Sequence, residues 1–318
     1  MKSIIFMGTP QFSAPILESL IANKEYNVIA VVTQPDRRVG RKHLIKYSPV
    51  KEVALKNDIP VLQPEKLSGS EELSQLIDLH PDLIVTAAFG QFLPMSLINS
   101  AKIGAINVHA SLLPKYRGGA PVHYAILKGD RKTGVSIIYM VKKMDAGDIL
   151  SQREIPIEND DTVGSMFDKL SILGRDLLLN TMPKLIAGDI KPIKQDEEQV
   201  TFSPNISPEQ EQVNINLSSF LFDAKVRGLC PFPVAYVMLN GKRTKLWKTH
   251  VVDEKTDENP GVVVERNKHH LLVATGEHGI VSLDEIQPAG KQKMKITDFL
   301  NGIGSQIKVG DQIIKYEE

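Results

Sequence analysis

Val28-Ile29-Ala30-Val31-Val32 is an unbroken run of five apolar residues, all but Ala30 β-branched. A strand with one wet face alternates apolar and polar residues; an unbroken run suits a strand covered on both faces. Similar short runs flank it. Ile4-Ile5-Phe6-Met7 comes before and ends in Gly8-Thr9-Pro10. Pro60-Val61-Leu62, Asp82 to Ala87, Ile103 to His109 and Gly134 to Val141 come after. Between these runs the apolar spacing turns helical: Ala14, Ile16, Leu17, Leu20 and Ile21, then Lys51 to Asn57, then Glu71 to Leu79. Strands alternating with helices predict an α/β fold with a doubly wound, mostly parallel sheet. Such sheets take ligands at the carboxyl ends of their strands.

The character changes between Gly188 and Val213, where Pro192, Pro204 and Pro208 are spaced by Glu, Gln, Asn and Ser. That composition reads as an extended linker. Beyond it come short alternating runs: Val234 to Leu239, Thr244 to Val251, Gly261 to Val264, His270 to Thr275 and Gly279 to Leu283. Turn residues separate them, among them Asn240-Gly241, a strong hairpin signal. The expectation is a small all-β domain of OB-like barrel type. The predicted organisation is therefore a catalytic domain over 1–189, a linker over 190–208 and a β domain over 209–318.

The length of 318 residues suits two domains and is ample for a buried core. With 42% hydrophobic and 24% charged residues, the composition is that of an ordinary globular chain. Lys plus Arg and Asp plus Glu are both 38, which excludes a globally basic coat but leaves room for a local basic face. One cysteine, Cys230, can form neither an internal disulfide nor a multi-cysteine zinc site. The N-terminal residues lack a signal-type apolar segment with a cleavage site. The stretch Leu83 to Ile98 is broken by Gly90, Gln91 and Pro94 before it could span a membrane. The expectation is a soluble cytoplasmic protein of bacterial type, a monomer with no membrane partner.

Gly8-Thr9-Pro10 sits where a nucleotide-binding loop would, but the dinucleotide fingerprint needs three glycines and only Gly8 is present. Nicotinamide and ATP chemistry are disfavoured, and Gly8 reads as a tight strand-to-helix turn. The segment Gly104-Ala105-Ile106-Asn107-Val108-His109-Ala110-Ser111-Leu112-Leu113-Pro114 is more informative. Strand alternation puts Asn107 and His109 on one face, with Cα atoms ~6.5–7 Å apart. An amide and an imidazole there suit oxyanion stabilisation plus proton transfer; taken singly, a turn Asn and a core His explain them equally well. Asp145-Ala146-Gly147-Asp148 follows the strand ending at Val141. Asp145 either orients the imidazole or bonds its own turn backbone, and spacing does not separate the two. Two clusters of positive charge stand out. Arg37, Arg38, Arg41 and Lys42 share the loop between Thr33 and Pro49. Lys225, Arg227, Lys242, Arg243, Lys245 and Lys248 face no acidic residue between them, and Lys291, Lys293 and Lys295 follow later. Each is a solvated surface or a phosphate-contacting footprint.

Taken in order, Gly8-Thr9-Pro10, Thr33-Gln34-Pro35-Asp36-Arg37, Ser48-Pro49-Val50-Lys51, Asn107-Val108-His109, Ser111-Leu112-Leu113-Pro114, Arg117-Gly118, Asp145-Ala146-Gly147-Asp148, Arg227-Gly228 and Pro231-Phe232-Pro233 form a recognisable set. The chain closely resembles the 10-formyltetrahydrofolate-dependent formyltransferases over nearly its whole length. This family also holds glycinamide ribonucleotide transformylase, formyltetrahydrofolate dehydrogenase and a sugar-nucleotide enzyme. The Thr-Gln-Pro-Asp loop and the C-terminal β domain narrow the resemblance to the branch acting on methionyl initiator tRNA. Two departures are Ala110, where the family usually has Gly, and Gly119, where Ala is more usual. The resemblance implies a Rossmann-like formyltransferase fold and an OB-like tRNA-binding domain. It implies transfer of formyl from 10-formyltetrahydrofolate, a cosubstrate, to the α-amine of methionyl initiator tRNA for translation initiation, without a metal. It assigns Asn107, His109 and Asp145 as catalytic and Ser111, Leu112, Leu113 and Pro114 to the folate site. The charge clusters make Arg41, Lys42, Lys242, Arg243 and Lys245 the candidate tRNA contacts. A sugar-nucleotide formyltransferase and a non-catalytic tRNA- or folate-binding module are the rival readings.

Overall fold

A computed structural model of the chain describes residues 1–39 and 44–316. Two of the candidate tRNA contacts, Arg41 and Lys42, lie outside the described residues. Residue contacts divide the chain into two compact units. The first comprises Met1–Pro121, Lys132–Ile155 and Phe167–Pro204; the second comprises Val122–Arg131, Pro156–Met166 and Asn205–Glu318.

The first unit is built on a seven-stranded sheet. In chain order its strands are β1 (Lys2–Gly8) and β2 (Tyr26–Val32), then, past the two-stranded hairpin of β3 (Arg37–Val39) and β4 (Leu44–Lys46), β5 (Val61–Leu62), β6 (Leu83–Ala87), β7 (Gly104–His109), β8 (Lys132–Tyr139) and β9 (Ile149–Pro156). The order across the sheet is β5-β2-β1-β6-β7-β8-β9. The first five are parallel, and β8 runs antiparallel to β7. Every residue of β6 is buried, as its unbroken apolar run requires of a central parallel strand. Ile5, Met7, Ala30, Val32, Ile84 and Ala105 pack on one side with Leu76 of α3 (Glu71–Asp78) and Leu97 of α4 (Met95–Ile98).

On chain geometry, α1 (Ala14–Ala22) and α2 (Pro49–Lys56) sit where the apolar spacing puts them, and Ser48 caps α2 by accepting a hydrogen bond from Lys51 N. α5 (Pro121–Leu127) follows in the chain. The 25-residue α6 (Val163–Ala187) has no clear helical signal in the sequence, because Gly164, Gly174 and Pro183 interrupt it. Its buried stripe through Met166, Leu170, Gly174, Leu178 and Met182 is nonetheless helical in period. A Cβ on Gly174 would come 2.9 Å from Val108 of β7, so this helix presses closely on the strand that carries Asn107 and His109.

The segment read as a linker is extended, but its first part is bonded into the first unit. Ile193 and Ile149 exchange backbone hydrogen bonds of 2.8 and 2.9 Å. Arg117 N donates to Thr201 O, and Ser203 N donates to Arg117 O. An edge strand and a buried loop both need backbone partners, and residues 193–203 supply them.

The second unit carries α7 (Ser219–Gly228), capped by Ser218, and the strands β10 (Tyr236–Leu239), β11 (Lys242–Val252), β12 (Val263–Arg266), β13 (Leu271–Ala274), β14 (Ile280–Pro288), β15 (Met294–Lys295) and β16 (Ile314–Lys315), with α8 (Ile296–Asn301) before the last. The strand order is β12-β13-β14-β11-β10-β16, with β15 on β14. Among the described residues the ladders of this sheet are antiparallel. The sheet curls until its edges meet: Val263 N donates to Asp311 O at 2.9 Å and Ile313 N donates to Gly261 O at 3.0 Å. Phe222, Val226, Leu246, Val273, Val281 and Leu283 fill the enclosed core. The Asn240-Gly241 turn joins β10 to β11 with φ of 48° and 73°, as a type I′ hairpin demands.

Candidate functional site

Asn107 and His109 occupy the carboxyl half of β7 and share a face. Parallel pairing sets Thr86 of β6 opposite Asn107, and Thr86 Oγ1 donates to Asn107 Oδ1 at 2.7 Å. This bond orients the amide. With its oxygen engaged, Nδ2 is the end left to donate, and no described residue accepts from it. Met140 Sδ lies 3.5 Å from the same Thr86 hydroxyl.

His109 is only 6% exposed. Its Nε2 is 3.0 Å from Tyr116 O; a carbonyl only accepts, so Nε2 carries a proton. Its Nδ1 faces Asp145 Oδ1 at 3.6 Å. Both ring nitrogens thus face oxygen acceptors, Tyr116 O within hydrogen-bond distance and Asp145 Oδ1 just beyond it. Asp145 is held in its turn: Gly118 N donates to Oδ2 at 2.9 Å, and Asp145 itself sits at φ 50°. The carboxylate therefore faces the imidazole rather than its own backbone.

The loops that converge here need close backbone approach. A Cβ on Gly118, at φ 128°, would meet Ser203 O at 2.6 Å, and one on Gly147 would collide with Tyr139 O. Gln195 Nε2 donates to Asp145 O at 2.7 Å and to Gly147 O at 2.8 Å, while its Oε1 accepts from Arg117 Nε at 3.0 Å and Nη2 at 2.8 Å. Arg117 is fully buried and also donates to Glu197, which in turn bonds Lys143. Those two cations lower the Glu197 carboxyl to about 2. Arg117 belongs to a motif visible in the sequence, whereas Thr86, Gln195 and Glu197 carry no local mark of their place in the site. Pairing of β6 with β7 was the one signal for Thr86; the other two lie in the segment taken for a linker.

A cavity of about 520 Å³ adjoins this set, lined by Ile98, Ala105, Tyr139, Met140, Gly147 and Asp148 among others. It flanks the start of β7 and the end of β8, not the strand ends where the sheet topology pointed. The cause is β8 itself: antiparallel to β7, it delivers the loop 141–148 from the opposite end. Two contacts connect the cavity to the polar set. Met140, which lines it, touches Thr86, and Ala146 and Gly147 directly follow Asp145.

The segment Ser111 to Pro114 lies just beyond β7, with its polar groups engaged inside the chain. Ser111 Oγ donates to Lys115 O, Leu113 N donates to Ser136 Oγ, and Gln152 donates to Leu113 O. Leu112 and Pro114 are its half-buried members. Ala110 is not among the residues with positive φ, so the methyl it adds costs no backbone strain. Asp36 likewise looks inward, bonded to Lys51 at 2.5 Å and to Gln63, whose hydrogen bonds hold its carboxyl below the usual range.

In the second unit, Lys242 and Arg243 are exposed and Lys245 is half-buried on β11. Arg243 stacks on Tyr236 at 3.9 Å and pairs with Glu211; Lys245 Nζ donates to Pro233 O at 3.3 Å. Lys242 has no ion partner among the described residues. Lys293 stands 5.0 Å over Trp247. The run Lys225 to Lys248 is not one surface, however. Arg227 is turned inward, bonded to Asp223 at 2.6 Å and to Asp161 O at 2.8 Å. Burial, aided by the charge of Lys128, pushes the Lys225 amine down from its usual value.

Among the described residues no helix is long and apolar enough to cross a membrane, and no cluster of three or more His, Cys, Asp or Glu could hold a metal. Residues 1–182 match the family model described as formyl transferase, and residues 205–304 match the formyl transferase C-terminal domain. Methionyl-tRNA formyltransferase of Pediococcus pentosaceus is 71% identical over 99% of this chain and 98% of its own. That of Levilactobacillus brevis is 66% identical over 98% and 99%. Among solved structures, a sugar 3N-formyl transferase, WlaRD, superposes with a TM-score of 0.69 at 18% identity, covering 92% of this chain and 99% of its own. An N-formyltransferase from Helicobacter canadensis gives 0.70 at 19%, over 91% and 100%. At such identities the likeness shows the fold alone, whereas the two curated relatives span the whole chain at well over half identity. The chain belongs to the methionyl-tRNA formyltransferases.

Proposed function

We propose that the chain moves a formyl group from N10 of 10-formyltetrahydrofolate to the α-amine of methionyl initiator tRNA, and that Asn107, His109 and Asp145 carry the step. The amine nitrogen attacks the formyl carbon, the carbonyl electrons move onto oxygen, and the bond from carbon to N10 then breaks. One proton leaves the attacking amine and one arrives at N10. Asn107 Nδ2, left free by the Thr86 bond, donates to the developing oxyanion. His109 exchanges its Tyr116 carbonyl for the reacting groups through Nε2 and relays the proton, while Asp145 keeps the ring oriented through Nδ1. The substrate amine is the nucleophile, so no side chain needs to form a covalent intermediate.

The folate is assigned to the 520 Å³ cavity beside Met140 and Gly147. Its size lies in the usual range for small-ligand sites, and its lining includes Met140, whose sulfur contacts Thr86, and Ala146 and Gly147, which follow Asp145. By the resemblance alone, Ser111, Leu112, Leu113 and Pro114, just beyond the carboxyl end of β7, also belong to the folate site. For the tRNA, Lys242, Arg243 and Lys245 with Tyr236 and Trp247 offer cations interleaved with aromatic faces, a pattern suited to phosphates and stacked bases.

The observation that carries this reading is the orientation of Asn107 by Thr86 beside a histidine whose second nitrogen faces a carboxylate. The test supplies formyl-labelled folate with methionyl-tRNA or, separately, with a sugar-nucleotide amine. Label is expected on the aminoacyl-tRNA alone; label on the sugar amine alone would overturn the assignment.

A further inference from the structure

We infer that Gln195, held by the buried Arg117, is a positioning residue that fixes the Asp145 carboxylate against His109. The inference rests on the proposed role of Asp145 in formyl transfer.

The geometry leaves the Gln195 amide one orientation. Arg117 can only donate, so the atom facing Nε and Nη2 is the acceptor Oε1. The carbonyls of Asp145 and Gly147 can only accept, so the atom facing them is Nε2. One side chain thus spends both amide hydrogens on the backbone immediately around Asp145. That backbone needs holding: Asp145 is at φ 50°, a region an L-residue occupies at a cost unless its surroundings impose it. Arg117 grips the same turn from the other side, since the next residue, Gly118, donates its N–H to Asp145 Oδ2. The chain order is therefore Arg117 to Gln195 to the Asp145 turn, closed by Gly118 back onto the carboxylate.

The design of this clamp makes sense of a fully buried arginine. A buried guanidinium is costly unless paired, and its neighbour Glu197 is itself largely exposed. A neutral amide can accept from the cation without competing for its charge, and turn its donors to the carbonyls at the far end. A second carboxylate in that place could accept but not donate.

Gln195→Glu separates the two duties. It leaves Arg117 an acceptor and removes both donors to the turn. We expect kcat to fall roughly 10- to 100-fold, the scale that follows a catalytic group misplaced by about an ångström. The KM values for folate and for methionyl-tRNA should each stay within about threefold, and the melting temperature should stay close to that of the parent. Retained kcat would overturn the inference, because Gln195 would then serve only to satisfy Arg117. If Gln195→Glu proves unstable, the paired replacement Arg117→Met with Gln195→Leu removes the buried charge together with its partner. It should be folded and show the same selective loss of kcat; a folded protein of normal kcat overturns the clamp. Asp145→Asn is measured alongside. Normal turnover there would sink the role of Asp145 itself, whereas impaired Asp145→Asn with unimpaired Gln195→Glu would sink only the clamp.

Discussion

The polar groups around His109 and those along β11 do opposite things with their charge. Around His109 most polar groups have a partner within the chain: Thr86 donates to Asn107 Oδ1, the imidazole faces Tyr116 O and Asp145, and Arg117 donates to Gln195. Along β11, Lys242 and Lys248 are exposed, Lys245 makes one long bond to a backbone carbonyl, and Arg243, itself exposed, pairs with Glu211 at the surface. Buried groups act through geometry, since a low local dielectric makes both a met and an unmet hydrogen bond matter more. Exposed cations act through number, because each contributes a small and screened share. The first region should fail abruptly when one member is lost, and the second should weaken by steps.

Replacing His109 is the sharpest way to break that contrast. His109→Ala should lower kcat by about 10³-fold or more while the protein stays folded, because both a donor and a proton carrier are lost. Steady-state rates with saturating folate and tRNA, alongside a melting curve, check it. Turnover near that of the parent would move the chemistry elsewhere. Next in size is Asn107→Ala, expected to cost about 10²- to 10³-fold in kcat, the typical price of one oxyanion donor. Thr86→Val should reproduce part of this loss, since Asn107 would keep its donor but lose the bond that aims it. A Thr86→Val variant as active as the parent would show that the amide is aimed by something else.

The second region is probed by Lys242→Ala. We expect KM for methionyl-tRNA to rise a few-fold with kcat unchanged, and the slope of log affinity against log salt to shrink by about one. An unaltered slope would take this strand off the tRNA path. The smallest effect concerns Glu197, whose ordinary value of 4.5 is pulled to about 2 by Arg117 and Lys143. A lowered folded value means the tie is fully present above about 4.5 and fades as pH falls toward 2. Glu197→Gln should therefore be slightly less stable than the parent at pH 7, with the gap narrowing in melts below pH 4.5. A gap that is constant with pH would count against an ionic tie.

Much of this was legible in the residues. The unbroken apolar runs at Ile4 and Val28 announced buried parallel strands, and Asn240-Gly241 announced its hairpin, because local chemistry decides both. The Asn107–His109 pair was legible for the same reason: a period of two puts the side chains together without help from the rest of the chain. What escaped was set by contacts distant in sequence. Asp145 could be read as a turn residue or a partner of the imidazole, and only the fold brings it 3.6 Å from Nδ1. Gln195 lies in a stretch whose prolines and polar residues read as a linker, although its hydrogen bonds reach back some 50 positions. Arg227 looked like part of a basic surface until its acidic partner four residues earlier was seen to turn it inward. Charge counted along a sequence carries no sign of direction.

The left-handed conformation of Asp145 has a consequence for anyone who randomises that codon. At φ 50° aspartate, asparagine and glycine are the residues that keep the turn at little cost, and β-branched residues would have to refold it. A saturation library at position 145 would then report two things at once. Asparagine would isolate the missing charge, since it matches both the shape and the backbone preference of the parent. Valine or isoleucine would look equally dead for a reason unrelated to proton transfer, so a ranking of all substitutions would measure turn tolerance as much as chemistry.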